Sequence, residues 1–179
     1  MTFAIPSRLA QAATALLLAG SGPWAFATTF GVANRSKVTW TFKQDPDPNS
    51  TFTLYQGEAK VPNRMEGGQP KPNYYDLAPG QKYEIHIEKP QGLLHDKAVF
   101  YLGGPNRVYN KIEVTSPASQ YASIHEATFR HLHYEHLAGT PEPVLPAGGD
   151  DVVALPEQGQ YDEKLVIILK DNYSTKAGH

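Results

Sequence analysis

Short segments of alternating apolar and polar residues recur along this chain. The clearest covers 82–88, where Tyr83, Ile85 and Ile87 alternate with charged residues and a histidine. Because successive side chains of a strand point to opposite faces, this period of two predicts a half-buried β-strand. Comparable segments, rich in β-branched and aromatic residues, lie at 37–42, 51–55, 98–102, 107–115 and 164–170. The last of these is apolar between its two terminal lysines and predicts a central strand buried on both faces.

The segment 119–137 has a less regular pattern. It is long and holds no glycine or proline, and Tyr121, Ile124 and Phe129 do not recur at helical spacing. We interpret it as one long or bent strand, and a helix in its second half is the alternative.

Two stretches, 62–80 and 139–159, are rich in proline and glycine and predict long loops. About seven or eight short strands separated by turns of this kind predict an antiparallel β-sandwich, immunoglobulin-like or related. The apolar segment after the second loop is too short to form a domain of its own. We therefore expect a single β-sandwich domain over 28–179, with these two long loops.

The first 27 residues have the pattern of a secretory signal peptide. Arg8 is followed by an apolar run over 9–19, and Ala25 and Ala27 flank Phe26 as a small-residue cleavage site. The apolar run is shorter than the roughly 20 residues that cross a bilayer, so it predicts no stable membrane anchor. We expect cleavage before Thr28 and export to the periplasm or the medium.

Composition and net charge narrow the range of functions that the chain can have. The chain has no cysteine, so disulfide bonds cannot stabilise the exported domain. Its formal net charge is −2. This balance lacks the basic excess of nucleic-acid-binding proteins, and we expect no nucleic-acid partner.

The densest chemical feature is a group of four histidines. His131, His133 and His136 lie beside Glu135, and His125 precedes them. On an uninterrupted strand, His131, His133 and Glu135 would share one face. Neutral imidazole binds divalent metals such as zinc or copper, so these five residues are candidate metal ligands. Surface histidines without a ligand, or a group that senses pH, are the alternatives.

The ten tyrosines are the second enrichment. Strands favour aromatic residues, which accounts for several of them. Tyr74 and Tyr75 are different, because they lie in the proline-rich stretch. A tyrosine offers a flat apolar ring with a polar end, which suits recognition of a protein or a glycan. We therefore predict Tyr74 and Tyr75 as partner-contacting residues.

Catalysis has little support. Cysteine nucleophiles are absent, no Gly-x-Ser-x-Gly turn occurs, and Glu84 and Glu88 around His86 are typical of the solvated face of a sheet. We expect an exported, non-enzymatic module that binds a protein or glycan partner, like an immunity protein, an inhibitor or an adhesin. A metal-binding protein or metalloenzyme built on the histidines is the alternative, and a membrane-active β protein is a third.

Three segments match the Asn-x-Ser/Thr acceptor pattern for glycosylation. They begin at Asn34, Asn49 and Asn172. The pattern matters only in a host that glycosylates exported proteins.

Overall fold

The computed structural model describes residues 28–46, 51–87, 95–104, 108–117, 121–136, 151–158 and 163–171. The predicted signal peptide at 1–27 lies outside these residues. All regular elements in the described ranges are strands. They are β1 (Thr28–Asn34), β2 (Trp40–Gln44), β3 (Phe52–Gln56), β4 (Ala59–Lys60), β5 (Met65–Glu66), β6 (Gln69–Pro70), β7 (Tyr74–Leu77), β8 (Lys82–Ile87), β9 (His95–Gly103), β10 (Val108–Pro117), β11 (Thr128–His136), β12 (Val152–Gln158) and β13 (Glu163–Leu169).

The strands form two main sheets and one small hairpin. Sheet A has the order β12-β13-β1-β8-β3-β4, sheet B has the order β11-β10-β9-β2-β7, and β5 pairs with β6. Neighbouring strands are antiparallel except β1 and β13, which run parallel with Gly31 opposite Val166. The predicted β-sandwich is confirmed. In the described part of the chain, no helix is long and apolar enough to cross a membrane.

Aromatic rings from both sheets meet in the core. Phe30 and Phe52 come from sheet A, and Phe42 and Phe100 from sheet B. The rings of Phe42 and Phe100 stack with centroids 4.7 Å apart, and Phe52 meets Phe42 edge-on at 5.8 Å. Each buried aromatic side chain removes a large apolar area from water, so this group is a main source of cohesion between the sheets.

A buried polar network ties the end of β1 to sheet B. Asn34 Nδ2 donates to the carbonyl oxygens of Val38 at 2.7 Å and Leu77 at 2.8 Å. Asn34 Oδ1 accepts from the Ser36 backbone N–H at 2.9 Å and from its hydroxyl at 2.6 Å. Trp40 Nε1 in turn donates to Ser36 Oγ at 2.9 Å. Both the nitrogen and the oxygen of the Asn34 side-chain amide therefore have hydrogen-bond partners, as a buried polar side chain requires.

The burial of Asn34 argues against glycosylation at one of the three predicted acceptor sites. Asn34 is 1% exposed, so its amide is out of reach of a glycosylating enzyme in the folded protein. Asn49 and Asn172 lie outside the described residues.

All six predicted strands are confirmed, although β2 begins at Trp40 rather than Lys37, and 164–169 is buried as expected. The prediction of an unbroken loop at 62–80 is wrong, because β5, β6 and β7 form there. Strand β12 also forms inside the second predicted loop, where it pairs with β13. Most of the remainder of that second loop lies outside the described residues. Proline and glycine mark turns, and here they mark the turns between very short strands.

The ambiguous segment divides into two parts. Its second half is strand β11, so the helical alternative is wrong. In its first half the chain turns instead of extending, with the backbone N–H of Ala127 donating to the carbonyl of Ser123 at 2.8 Å. One long strand is therefore also wrong for 121–127. Two isolated bridges, at Tyr121 and Ser123, fasten this turn to sheet A.

Candidate functional site

A cleft of about 560 Å³ opens where the edges of the two sheets meet. Strands β3 and β4 form the sheet A side, and β2 and β7 form the sheet B side. Among the described residues, its lining is Gln44, Thr51, Phe52, Thr53, Lys60, Val61, Pro62, Asn63, Asn73 and Tyr75. The cleft is thus framed by strands on both sides and by the turns that connect them.

The inner end of the cleft is apolar. Phe52 and Val61 are buried, and Tyr75 is half-buried with its ring edge-on to Phe42 at 6.2 Å. Burial raises the pKa of the Tyr75 phenol above its ordinary value of 10.0. The phenol is therefore neutral at physiological pH and combines an apolar ring with a hydroxyl that donates and accepts.

The rim of the cleft is polar and carries three side-chain amides. They belong to Gln44, Asn63 and Asn73. Asn73 has a left-handed backbone with φ of 65°, a conformation that asparagine adopts more readily than most residues. The backbone N–H of Gln44 donates to the Asn73 carbonyl at 2.9 Å, which fixes this turn beside β2. The Gln44 amide already donates one N–H to the Phe52 carbonyl at 3.3 Å, which leaves its second N–H and its oxygen for a ligand, whereas the amides of Asn63 and Asn73 offer both donors and an acceptor.

The two predicted contact tyrosines lie in different surroundings. Tyr75 lines the cleft, whereas Tyr74, the next residue of β7, lies on the outer face of sheet B. There the ammonium of Lys71 is 4.3 Å from the Tyr74 ring centroid, and that of Lys43 lies between Tyr74 at 5.9 Å and Tyr101 at 4.9 Å. The ring of Tyr74 is already used within the protein, so Tyr75 is the stronger contact candidate.

A small hairpin, β5–β6, covers the free edge of β7. The backbone N–H of Arg64 donates to the Tyr74 carbonyl at 2.6 Å, and that of Lys71 donates to the Arg64 carbonyl at 2.7 Å. Lys71 also pairs with Glu66 at 2.5 Å, and this hydrogen bond holds the pKa of Glu66 below its ordinary value. The hairpin fixes β7, and with it the position of Tyr75.

The histidine segment contains a β-bulge. Strand β11 pairs His131 with Ile112 and His133 with Lys111, so two residues of β10 are matched by three of β11. Ile112 and Lys111 are neighbours in a strand and face opposite sides of sheet B. The strand that the sequence analysis treated as uninterrupted therefore has a bulge between His131 and His133.

The predicted metal site is not tested by the structure. The side chains of His133 and His136 lie outside what is described. The His131 ring packs edge-on against Tyr134 at 4.4 Å, Glu135 is exposed, and His125 lies 3.7 Å from Glu163 at the start of β13. Among the described residues, no three potential ligands gather at one point. Metal binding stays a prediction, tested by zinc and copper titration of the chain and its His131→Ala/His133→Ala variant.

Glu84 and His86 lie on the outer face of sheet A, where Glu84 belongs to an ion-pair cluster. Lys164, which is 8% exposed, donates to Glu84 at 2.9 Å, and its ammonium is 5.3 Å from the Tyr121 ring centroid. His86 approaches Glu84 at 3.5 Å and packs against Tyr55. Burial alone raises the pKa of Glu84, but the hydrogen bonds and charges of Lys164 and His86 leave it below its ordinary value.

This cluster joins β8 to β13 across β1, so its role is to hold strands together. Glu88, the other carboxylate considered in the sequence, lies outside the described residues.

Comparison of the chain with known protein families, curated proteins and solved structures finds no match. Function is therefore inferred from the cleft itself. Sequence reasoning identified Tyr75 and missed the amides of Gln44, Asn63 and Asn73. The repeated Pro-Asn pairs at 62–63 and 72–73 were a usable signal, since each places an asparagine in a turn.

Proposed function

We propose that this protein is a non-enzymatic binding module that recognises a glycan in the cleft between the two sheet edges. The observation that carries the proposal is the combination of an aromatic wall at Tyr75 with three amides at the rim. Sugars present apolar C–H faces that pack on aromatic rings, and hydroxyls that both donate and accept hydrogen bonds. An amide pairs with such a hydroxyl in either direction.

The shape of the site favours a small ligand over a flat protein surface. A volume of about 560 Å³ is within the range of small-molecule pockets, roughly 300–1,000 Å³. A stable protein partner would have to cover about 800 Å² of this chain, far more than the cleft itself. A protein partner is the alternative. We also propose, from the sequence of 1–27, that the chain is exported and meets its glycan outside the cytoplasm.

The first experiment screens the chain starting at Thr28 on an array of neutral and acidic oligosaccharides. The oligosaccharide that binds the protein is then used in a calorimetric titration. The informative variant is Asn73→Gly. Glycine adopts the φ of 65° without strain, so this change removes the amide and keeps the backbone. Losing hydrogen bonds from one amide should weaken binding about tenfold.

Tyr74→Phe is the matched control, because Tyr74 neighbours the cleft in sequence but lies on the outer face of sheet B. It should bind the sugar as tightly as the parent chain. The proposal fails if Asn73→Gly binds like the parent. It also fails if no oligosaccharide on the array binds the protein and affinity purification instead yields a protein partner.

A further inference from the structure

The first residue of β1 is joined to a buried carboxylate. Thr28 and Asp96 are both 0% exposed, and the Thr28 hydroxyl donates a hydrogen bond to Asp96 Oδ2. Thr28 belongs to sheet A and Asp96 to β9 of sheet B, so this bond crosses the sandwich. Ser116, 2% exposed, lies opposite Asp96 on β10. A buried carboxylate is costly unless charges and hydrogen bonds compensate it.

The backbone nitrogen of Thr28 must also lie near this carboxylate. It is three covalent bonds from the hydroxyl oxygen, which places it within about 4 Å of that oxygen. Lys97, next to Asp96 in sequence, lies on the opposite face of β9, where it pairs with Glu113 at 3.1 Å. A positive charge on the Thr28 nitrogen would thus be close to Asp96 and inside the same buried region.

We propose that cleavage before Thr28 turns this nitrogen into a positive partner of Asp96, and that this added ion pair makes the cleaved protein more stable than the uncleaved chain. Hydrolysis of the Ala27–Thr28 bond consumes one water, leaves a carboxylate on Ala27, and leaves an amine on Thr28. With an ordinary pKa of about 7.7–8.0, that amine is mostly protonated at neutral pH. Before cleavage the same nitrogen is an uncharged amide, which cannot form the ion pair.

The inference rests on the export proposal, and it is independent of glycan binding. Its test compares two chains released from fusions, one starting at Thr28 and one at Ala25, each with and without Asp96→Asn. Unfolding in urea is followed by tryptophan fluorescence. The chain starting at Thr28 should have an unfolding constant about tenfold smaller than the longer chain, because a hydrogen bond to a charged group contributes roughly 1.5 kcal/mol and only the shorter chain can form it.

The difference should vanish when Asp96 is replaced by asparagine. Asp171→Asn is the matched control, because the Asp171 carboxylate accepts from the exposed backbone N–H of Lys37 and should leave the tenfold difference intact. Equal stability of the two chains would overturn the proposal, as would a difference that survives in Asp96→Asn.

A second measurement needs no substitution, in case Asp96→Asn does not fold. Periodate oxidises the 1,2-amino alcohol that only an N-terminal serine or threonine carries. Thr28 at the start of the chain should resist periodate in the folded protein and react in urea, as followed by mass spectrometry. Equal rates in both states would contradict the proposal. N-terminal sequencing of the exported protein tests the cleavage site separately, and a first residue other than Thr28 would remove the premise while leaving the glycan assay unaffected.

Discussion

Polar side chains have opposite roles on the outer face of sheet A and in the cleft. On sheet A they bind one another: Lys164 pairs with Glu84, and Lys82 pairs with Glu157. In the cleft, amides and hydroxyls surround an open volume next to the ring of Tyr75. The sheet A groups are charged, whereas the polar groups of the cleft are mostly uncharged amides and hydroxyls. A polar group that is paired with another group of the protein stabilises the fold. A polar group that faces the cleft can also bind a ligand.

Gly31 shows how closely the sheet A face is packed. A Cβ atom there would lie 3.0 Å from Cε of Lys82 and 3.2 Å from Cγ2 of Val166. The glycine leaves room for the Lys82 side chain to cross β1 on its way to Glu157. A side chain at position 31 would therefore require Lys82 or Val166 to shift.

The largest expected effect is at Asn34, whose polar atoms are all satisfied inside the protein. Asn34→Ala removes the donor to Val38 and Leu77 and the acceptor of Ser36, leaving buried groups without partners. We expect the free energy of unfolding to fall by about 3 kcal/mol. Urea denaturation measures this fall. A loss below about 1 kcal/mol would mean that water replaces the amide and that the network is not closed.

A smaller effect is expected at Lys164, which is buried while Glu84 is 38% exposed. Lys164→Met keeps most of the apolar stem and removes the charge. Because Glu84 is partly screened by water, we expect a loss of about 1 kcal/mol in the free energy of unfolding. Lys60→Met at the cleft rim is the matched control and should change stability by less than about 0.5 kcal/mol. Equal losses of stability in Lys164→Met and Lys60→Met would contradict the distinction between the outer face of sheet A and the cleft.

The same ion pair predicts a pH dependence of stability. The pKa of Glu84 is lower in the folded protein than its ordinary 4.5. A lowered carboxyl pKa stabilises the fold above the unfolded value, and this contribution is lost as pH falls from about 4.5 through the folded pKa. We expect the urea midpoint of the parent chain to decrease over this acid range and that of Lys164→Met to decrease less. Parallel curves for the two chains would assign the acid sensitivity to other groups.

The smallest effect on stability is expected in the cleft. Asn73→Gly should change the free energy of unfolding by less than about 0.5 kcal/mol, because glycine tolerates the left-handed backbone at that position. Thermal denaturation is sufficient to detect a larger change. A loss comparable to that of Asn34→Ala would show that the Asn73 amide has a structural role and would remove it as a ligand group.

The strands were predictable because their signal is local. Alternation at 82–88 and 107–115 follows directly from the two faces of a strand, and the continuous apolar run at 165–169 is typical of a strand that is covered on both faces. The bulge in β11 was not predictable, since neither glycine nor proline marks Leu132. The bulge arises from the pairing of β11 with β10.

The cleft was predictable in part. Tyr75 was identified because an aromatic pair in a proline-rich stretch is unusual. Its separation from Tyr74 depends on the pairing of β7 with β2, which places adjacent residues on opposite faces. Gln44 and Asn63 are separated in sequence and line one cleft because β2–β7 and β3–β4 lie at corresponding edges of the two sheets. Such proximity is a property of the sheet order.

The most direct test of the cleft as the binding site is a nuclear magnetic resonance titration of the ¹⁵N-labelled chain with the oligosaccharide that binds it on the array. We expect the backbone amide shifts to change at Thr53, Asn63, Asn73 and Tyr75, and to stay constant at Lys43, Tyr101 and Lys111 on the outer face of sheet B. Shifts confined to that outer face, or to β11 with its histidines, would contradict the account and would place recognition elsewhere on the protein.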